Sequence, residues 1–191
     1  PRGGWLMNHS QDLEAWISAG RRERLLGYGI FCRVQAAPGK DPLLLIHGYP
    51  TASYDWHAVW GPLAERYSLY ALDMLGFGLS DKPRNSDYPI TLQADLCAAL
   101  LAQHGVTRPH VLAHDYGDTV AQELLARAVE GKLPLASLCF LNGGLFPETH
   151  RARSIQKLLA NRWTGPLISR AITFGTFERS EMDAGAPFSP V

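Results

Sequence analysis

The chain has 191 residues, 46% of them hydrophobic, and its 18 basic side chains balance 18 acidic ones. That composition is globular, and a chain of this length buries a core without help from disulfides or metal. The cancelled charge gives no electrostatic case for nucleic acid or an anionic membrane, and no apolar run approaches the ~20 residues that span a bilayer.

Strand-like and helix-like patterns alternate along the chain. Arg24 to Tyr28 and Ile30 to Gln35 read as a hairpin around Gly29. Leu43 to His47 is a short apolar run of the kind a fully buried strand shows. Ser53 to Arg66 reads as a helix, with Trp56, Val59, Trp60 and Leu63 at helical spacing. Ser68 to Asp73 is a strand. Thr91 to His104 is a helix with Thr91 as its cap and Leu92, Leu96, Leu100 and Leu101 as its apolar stripe. His110 to His114 is another buried strand, followed by a helix from Gly117 to Glu130, and Ser137 to Leu141 is the next strand. This order predicts an α/β fold with a mostly parallel sheet and helices on both faces. From Leu145 the pattern changes to short helical stretches, Arg153 to Asn161 and Pro166 to Thr173, and no strand follows Leu141. The chain therefore reads as cut off inside an inserted helical region. It opens on Pro1, so its ends are not taken as native, and Pro1 to Ser10 has no signal-peptide pattern.

Cys32, Cys97 and Cys139 sit singly in apolar segments, which predicts three buried free thiols and a reducing, cytoplasmic compartment. The seven histidines show no ligand spacing, so no metal site is expected.

The segment that carries chemistry is Val111 to Asp118, VLAHDYGD. A β-branched apolar strand runs into a helix through small–x–Asp–x–small, the spacing of a nucleophile elbow, where Ala113 and Gly117 must be small because the turn is tight. A carboxylate, Asp115, stands where such elbows usually present a serine. A carboxylate displaces a leaving group at a saturated carbon and forms an ester, which water must then hydrolyse. The second piece is His47-Gly48-Tyr49-Pro50, directly after a strand. The backbone N–H of Tyr49, with that of Tyr116, is placed to hold an oxyanion. The third piece, Asp73 to Asp81, contains Gly76-x-Gly78 but lacks the third glycine and the helix of a dinucleotide loop.

In combination HGYPTASYDW, ALDMLGFGLSDKP and LAHDYGD resemble the α/β-hydrolase superfamily, in its epoxide hydrolase and haloalkane dehalogenase-like branch, across about Arg24 to Pro147. HDYGD, VAQELL and NGGLFPETHR bring the chain nearest to the mesoderm-specific transcript group. The resemblance implies Asp115 as nucleophile and the amides of Tyr49 and Tyr116 as oxyanion donors. It also implies that His47, Gly48, Pro50, His114 and Gly117 shape the site, and it implies no cofactor. The expected domains are an N-terminal extension (1–23), a core of six strands (24–144) and the start of a helical cap (145–191). The expected partner is a small organic substrate such as an epoxide; oligomeric state is left open.

There are departures from the family pattern. Its catalytic histidine follows the last strand, but here no histidine follows His150. Its acid partner is also missing, with only Glu148 nearby. The fragment is therefore expected not to turn over. Haloalkane dehalogenases carry tryptophan after the nucleophile, where this chain has Tyr116, and no tyrosine follows Tyr116 to act from a cap. Asp118 stands where relatives mostly have glycine; it reads as a first-turn acid at a helix N-terminus or as a second carboxylate acting on Asp115. His47 reads as a core residue shaping the oxyanion loop, His114 as structural and pointing away from the pocket, and Asp73 as a loop organiser. Trp56, Trp60 and Trp163 read as packing residues. Alternative functions are a noncatalytic binding protein on the same scaffold, a dehalogenase or an ester hydrolase.

Overall fold

The computed structural model describes residues 3–84 and 86–143, with side chains from residue 11 onward. The stretches Arg153 to Asn161 and Pro166 to Thr173, the expected cap, and Glu148, His150 and Trp163 lie outside the described residues.

Helix α1 (Gly3–Ser18) precedes a hairpin of β1 (Arg21–Leu25) and β2 (Tyr28–Gln35). The hairpin turns at Leu26 and Gly27, with φ of 50° and 89°, not around Gly29. Positive φ at both positions is the geometry of a type I′ two-residue loop. Gly29 instead lies within β2, opposite Arg24. Strand β3 (Asp41–Ile46) is followed by a 3-10 turn (Ser53–Trp56), helix α2 (His57–Ala64) and strand β4 (Tyr67–Leu72). The single helix expected over Ser53 to Arg66 is thus split. Ser53 is held by the Asp73 carboxylate through its amide, at 2.8 Å, and its hydroxyl, at 2.5 Å.

Helix α3 (Ile90–Gln103) comes next. Pro89, in extended conformation, is its N-cap, and the amides of Leu92 and Gln93 return to the Pro89 carbonyl at 3.0 and 3.2 Å. Thr91, expected as the cap, lies inside the first turn. Strand β5 (His110–His114), helix α4 (Tyr116–Val129) and strand β6 (Ser137–Leu141) complete the described elements.

The six strands form one sheet in the order β1-β2-β4-β3-β5-β6. The β1–β2 and β2–β4 pairs are antiparallel and the remaining three parallel. Alternation along the strands divides the core in two. Leu44, Ile46, Leu72, Val111 and Ala113 face the buried stripe of α3 (Leu96, Cys97, Leu100) and of α4 (Val120, Ala121, Leu124). Leu43, Leu45, Leu69 and Ala71 face the other way, onto Trp56, Trp60 and Trp16. Each fully buried leucine or isoleucine contributes about 2–3 kcal/mol.

Trp56 and Trp60 therefore pack, as expected, and Trp16 does the same for α1. Its ring meets Trp60 edge-on at 4.9 Å, and the Arg33 guanidinium lies 4.3 Å above it. The thiols divide. Cys32 and Cys97 are buried, whereas Cys139 is exposed, because it points outward from β6 at the end of the described sheet. No described helix is long and apolar enough to cross a membrane.

Candidate active site

The parallel register of β3 and β5 places the site. Ile46 stands opposite Ala113, so the chain leaves both strands at the same level and the two following turns lie side by side. Ligands of open α/β sheets bind at this carboxyl end. A hollow of about 950 Å³ at the opposite end, lined by Lys40, Asp41, Arg108 and His110, does not touch these turns.

The bend after β5 is strained. Asp115 has φ 53° and ψ −116°, a backbone conformation that a non-glycine residue holds only when its surroundings impose it. Three features impose it. The Asp115 amide donates to the Leu141 carbonyl of β6 at 3.0 Å. Helix α4 starts at the very next residue, Tyr116, one position earlier than the sequence suggests. That helix crosses the end of β3 so closely that a Cβ on Gly117 would lie 2.6 Å from the carbonyl oxygens of both Ile46 and His47. Glycine is the residue that permits this approach.

The half-buried Asp115 side chain emerges against the turn after β3. Its Oδ1 accepts a hydrogen bond from the Tyr49 amide at 2.9 Å. No described residue donates to its Oδ2. Gly48 is pressed against it, since a Cβ there would lie 2.8 Å from the Asp115 Cβ and 3.1 Å from His114 Nδ1. The His114 ring thus lies beside Gly48 and is not turned away from this turn, because the strand ends here and its last side chain reaches across to the neighbouring loop. Pro50 follows Tyr49 through a cis peptide bond.

His47 is fully buried. Its Nε2 accepts the Met74 amide at 3.0 Å, so the proton of the neutral ring sits on Nδ1, which donates to the Gly48 carbonyl at 2.8 Å. Burial holds the imidazole below the ordinary histidine range, against the opposing pull of the Gly48 carbonyl, Asp73 and Asp55. One ring thereby ties the turn after β3 to the loop after β4.

That loop, residues 73–81, is organised by Asp73. Its Oδ1 takes Ser53 and its Oδ2 accepts the Leu79 amide at 2.7 Å. The Ser80 hydroxyl donates to the Asp73 carbonyl at 2.6 Å. Gln93, a buried glutamine in α3, bonds both the amide and the carbonyl of Leu75 at 3.0 and 2.9 Å. The loop carries Phe77 into the site, where its ring centroid lies 5.3 Å from that of His47, 6.2 Å from Tyr49 and 5.8 Å from Tyr116. An aromatic wall therefore stands beside Asp115. Burial raises the pKa of the Tyr116 phenol.

Asp118 is 1% exposed. Its Oδ1 accepts the Leu141 amide at 3.4 Å, and its Oδ2 has no hydrogen-bond partner. Burial raises its pKa, with the Leu141 amide, His114 and the Gly143 amide pulling the other way and Asp115 adding to the rise.

The structure brings Asp115, Tyr49, Gly48, His47, His114, Tyr116 and Gly117 together. The roles of Gln93, Phe77 and the doubly attached Leu141 are not apparent from the sequence. A buried polar residue on an apolar helix stripe was the available signal for Gln93; nothing local marked the other two.

Residues 41–167 match the alpha/beta hydrolase fold family. The human mesoderm-specific transcript homolog protein is 42% identical over 189 residues, covering 94% of this chain and 56% of its own length. The putative hydrolase LipZ of Mycobacterium tuberculosis is 41% identical, covering 95% of this chain and 62% of its own length. The chain thus spans a little over half the length of these curated relatives. Among solved structures, the epoxide hydrolase CorEH superposes with a TM-score of 0.62 at 25% identity, over 79% of this chain and 55% of its own. With that match on top of the strained elbow between β5 and α4, the chain belongs to the α/β-hydrolase fold family.

Proposed function

We propose that the protein is a hydrolase in which Asp115 is the nucleophile. The observation that carries this reading is the pairing of a strained elbow at Asp115 with a single held oxygen: Oδ1 is fixed by the Tyr49 amide, and Oδ2 is left to attack. Oδ2 attacks a saturated carbon of the substrate, the carbon–oxygen bond of an epoxide breaks, and its electron pair goes to the leaving oxygen, which takes a proton from water. An alkyl ester on Asp115 results. Water, giving up a proton to a base, then adds to the ester carbonyl, and the oxyanion that forms is held by the amides of Tyr49 and Tyr116, each such donor being worth about 3–4 kcal/mol. Collapse of that oxyanion breaks the bond to the alkyl oxygen, which takes up the proton and leaves as the diol, restoring the Asp115 carboxylate. The N-terminus of α4 adds a favourable dipole.

The substrate class is a small organic electrophile, with an epoxide favoured. The resemblance to CorEH and to the soluble epoxide hydrolase of Corynebacterium sp., 36% identical over 80 residues, supports this choice. The aromatic wall of Tyr49, Phe77 and Tyr116 suits an apolar group beside the reacting carbon. No cofactor enters the reaction.

The described residues offer no base for the hydrolytic half. Both nitrogens of His47 are committed to the main chain, and the His114 ring lies against Gly48. The 191-residue chain is therefore expected to form the ester and not to turn over, while the whole protein completes the cycle with a base from outside the described residues. Mass spectrometry after exposure to para-nitrophenyl glycidyl ether tests this. An adduct on Asp115 that is lost in Asp115→Asn supports it; an unlabelled Asp115 favours a binding protein on the same scaffold. In the whole protein, Asp115→Asn is expected to lower turnover at least about 10⁴-fold.

A further inference from the structure

Asp118 is a second carboxylate, in the first turn of α4, and the mechanism above leaves it without a task. It is 1% exposed, and its Oδ2 lies against the main chain of Gly143 without a well-formed hydrogen bond. It is also fixed. The Leu141 amide donates to its Oδ1 at 3.4 Å, while the carbonyl of the same Leu141 accepts the Asp115 amide at 3.0 Å. One residue of β6 thus holds both the elbow and the Asp118 side chain. The chain just after β6 closes over the carboxylate so tightly that a Cβ on Gly143 would lie 2.0 Å from Oδ2. Asp118 is tied directly to the elbow as well, its amide donating to the Asp115 carbonyl at 3.0 Å. The titratable groups interacting with Asp118 are Asp115 and His114; β6 presents main chain.

We propose that Asp118 sets the partition between the two half-reactions at Asp115, speeding formation of the ester and slowing its breakdown. This rests on the reading of Asp115 as nucleophile. The effect is electrostatic. Attack turns the Asp115 carboxylate into a neutral ester, moving negative charge out to the substrate oxygen, which a proton from water neutralises. A neighbouring anion favours that loss of charge. Hydrolysis does the opposite, rebuilding negative charge on the Asp115 acyl oxygen beside the same anion. Asp118 is buried, so its charge is screened less by solvent and salt than a surface charge, and the effect persists at ordinary ionic strength. Asp118 touches no substrate in this scheme and is a positioning residue acting through Asp115.

The test uses the whole protein, as wild type, Asp118→Asn and Asp118→Gly, in mildly alkaline buffer with para-nitrophenyl glycidyl ether as probe. Quenched samples give the rate at which Asp115 is labelled, and removal of the reagent gives the rate at which the label is lost. Both variants are expected to melt cooperatively, to label about three- to tenfold more slowly than wild type and to lose the label faster by a similar factor. Rates that stay unchanged, that move in the same direction, or of which only one moves overturn the inference while leaving the nucleophile in place. Failure of both variants to fold also overturns it, in favour of a purely structural carboxylate. Absence of label on Asp115 in the wild type overturns the underlying reading of the site instead.

Discussion

Gly48 and Asp115 meet at the end of two neighbouring strands with no room for a methyl group between them: a Cβ on Gly48 would sit 2.8 Å from the Asp115 Cβ. The same glycine precedes Tyr49, whose amide holds Asp115 Oδ1 at 2.9 Å. Gly48→Ala must therefore move either the carboxylate or the amide. The cost falls on alignment more than on folding, because Gly48 lies in a loop at the sheet's end. Labelling of Asp115 by a glycidyl ether is expected to fall about 100-fold, the usual penalty for an ångström of misplacement. Thermal melting should change much less, and a Gly48→Ala protein that labels at the wild-type rate would contradict the geometry.

Gly117 is the contrasting case. An added Cβ there meets two main-chain carbonyl oxygens, those of Ile46 and His47, each at 2.6 Å. Neither carbonyl belongs to a flexible side chain, so α4 must lift from β3. Gly117→Ala is expected to destabilise the fold by about 2–3 kcal/mol, in the upper range of overpacking changes. Urea unfolding of the two proteins measures it. Equal midpoints would mean that α4 does not depend on this close approach.

Much of this arrangement was legible in the sequence because it is local. The strand-to-helix junction at His114-Asp115-Tyr116-Gly117 and the apolar runs of β3 and β5 are contiguous, and alternation predicts which side chains are buried. What escaped was set by contacts between distant segments. The hairpin turn moved to Leu26 and Gly27 because strand register, not the most obvious glycine, decides where the chain reverses. Thr91 lost the cap to Pro89 because an extended residue two positions earlier offered its carbonyl. Gln93 acts on Leu75, 18 residues away in sequence, and Leu141 on Asp118 in α4, 23 residues away, and no local pattern reports such a reach.

The cysteines test the placement of β6. Cys139 is exposed, whereas Cys32 and Cys97 are buried. Burial pushes the Cys97 thiol up to about 12 and drives that of Cys32 upward as well, with Glu23 and Asp73 adding to it. The thiolate is the reactive form, so the buried pair should be inert in the folded chain. In the 191-residue chain a disulfide reagent at neutral pH is expected to modify Cys139 rapidly and the other two only as the fold opens. Peptide mapping of the labelled chain checks this, and early modification of Cys97 would place α3 wrongly.

His47 gives a pH dependence whose sign follows from its environment. Burial lowers its folded pKa below the value of 6.5 it has when free. Above that pH the ring is neutral in both states and folding gains nothing from protons. As pH falls through 6.5 the unfolded chain takes up a proton that the folded one refuses, so stability declines. The decline continues down to the folded pKa, at a slope of up to about 1.4 kcal/mol per pH unit. Below that point the ring protonates within the fold, and Nε2 can no longer accept the Met74 amide. The neutral stand-in is His47→Gln, which keeps one acceptor and one donor on the side chain but does not titrate. Urea unfolding across mildly acidic pH should show a shallower loss of stability in His47→Gln than in wild type, the difference opening below about pH 6.5. Parallel curves for the two proteins would mean that the ring is not held neutral between Met74 and Gly48, and that the turn carrying Tyr49 is anchored to the loop after β4 by something other than this histidine.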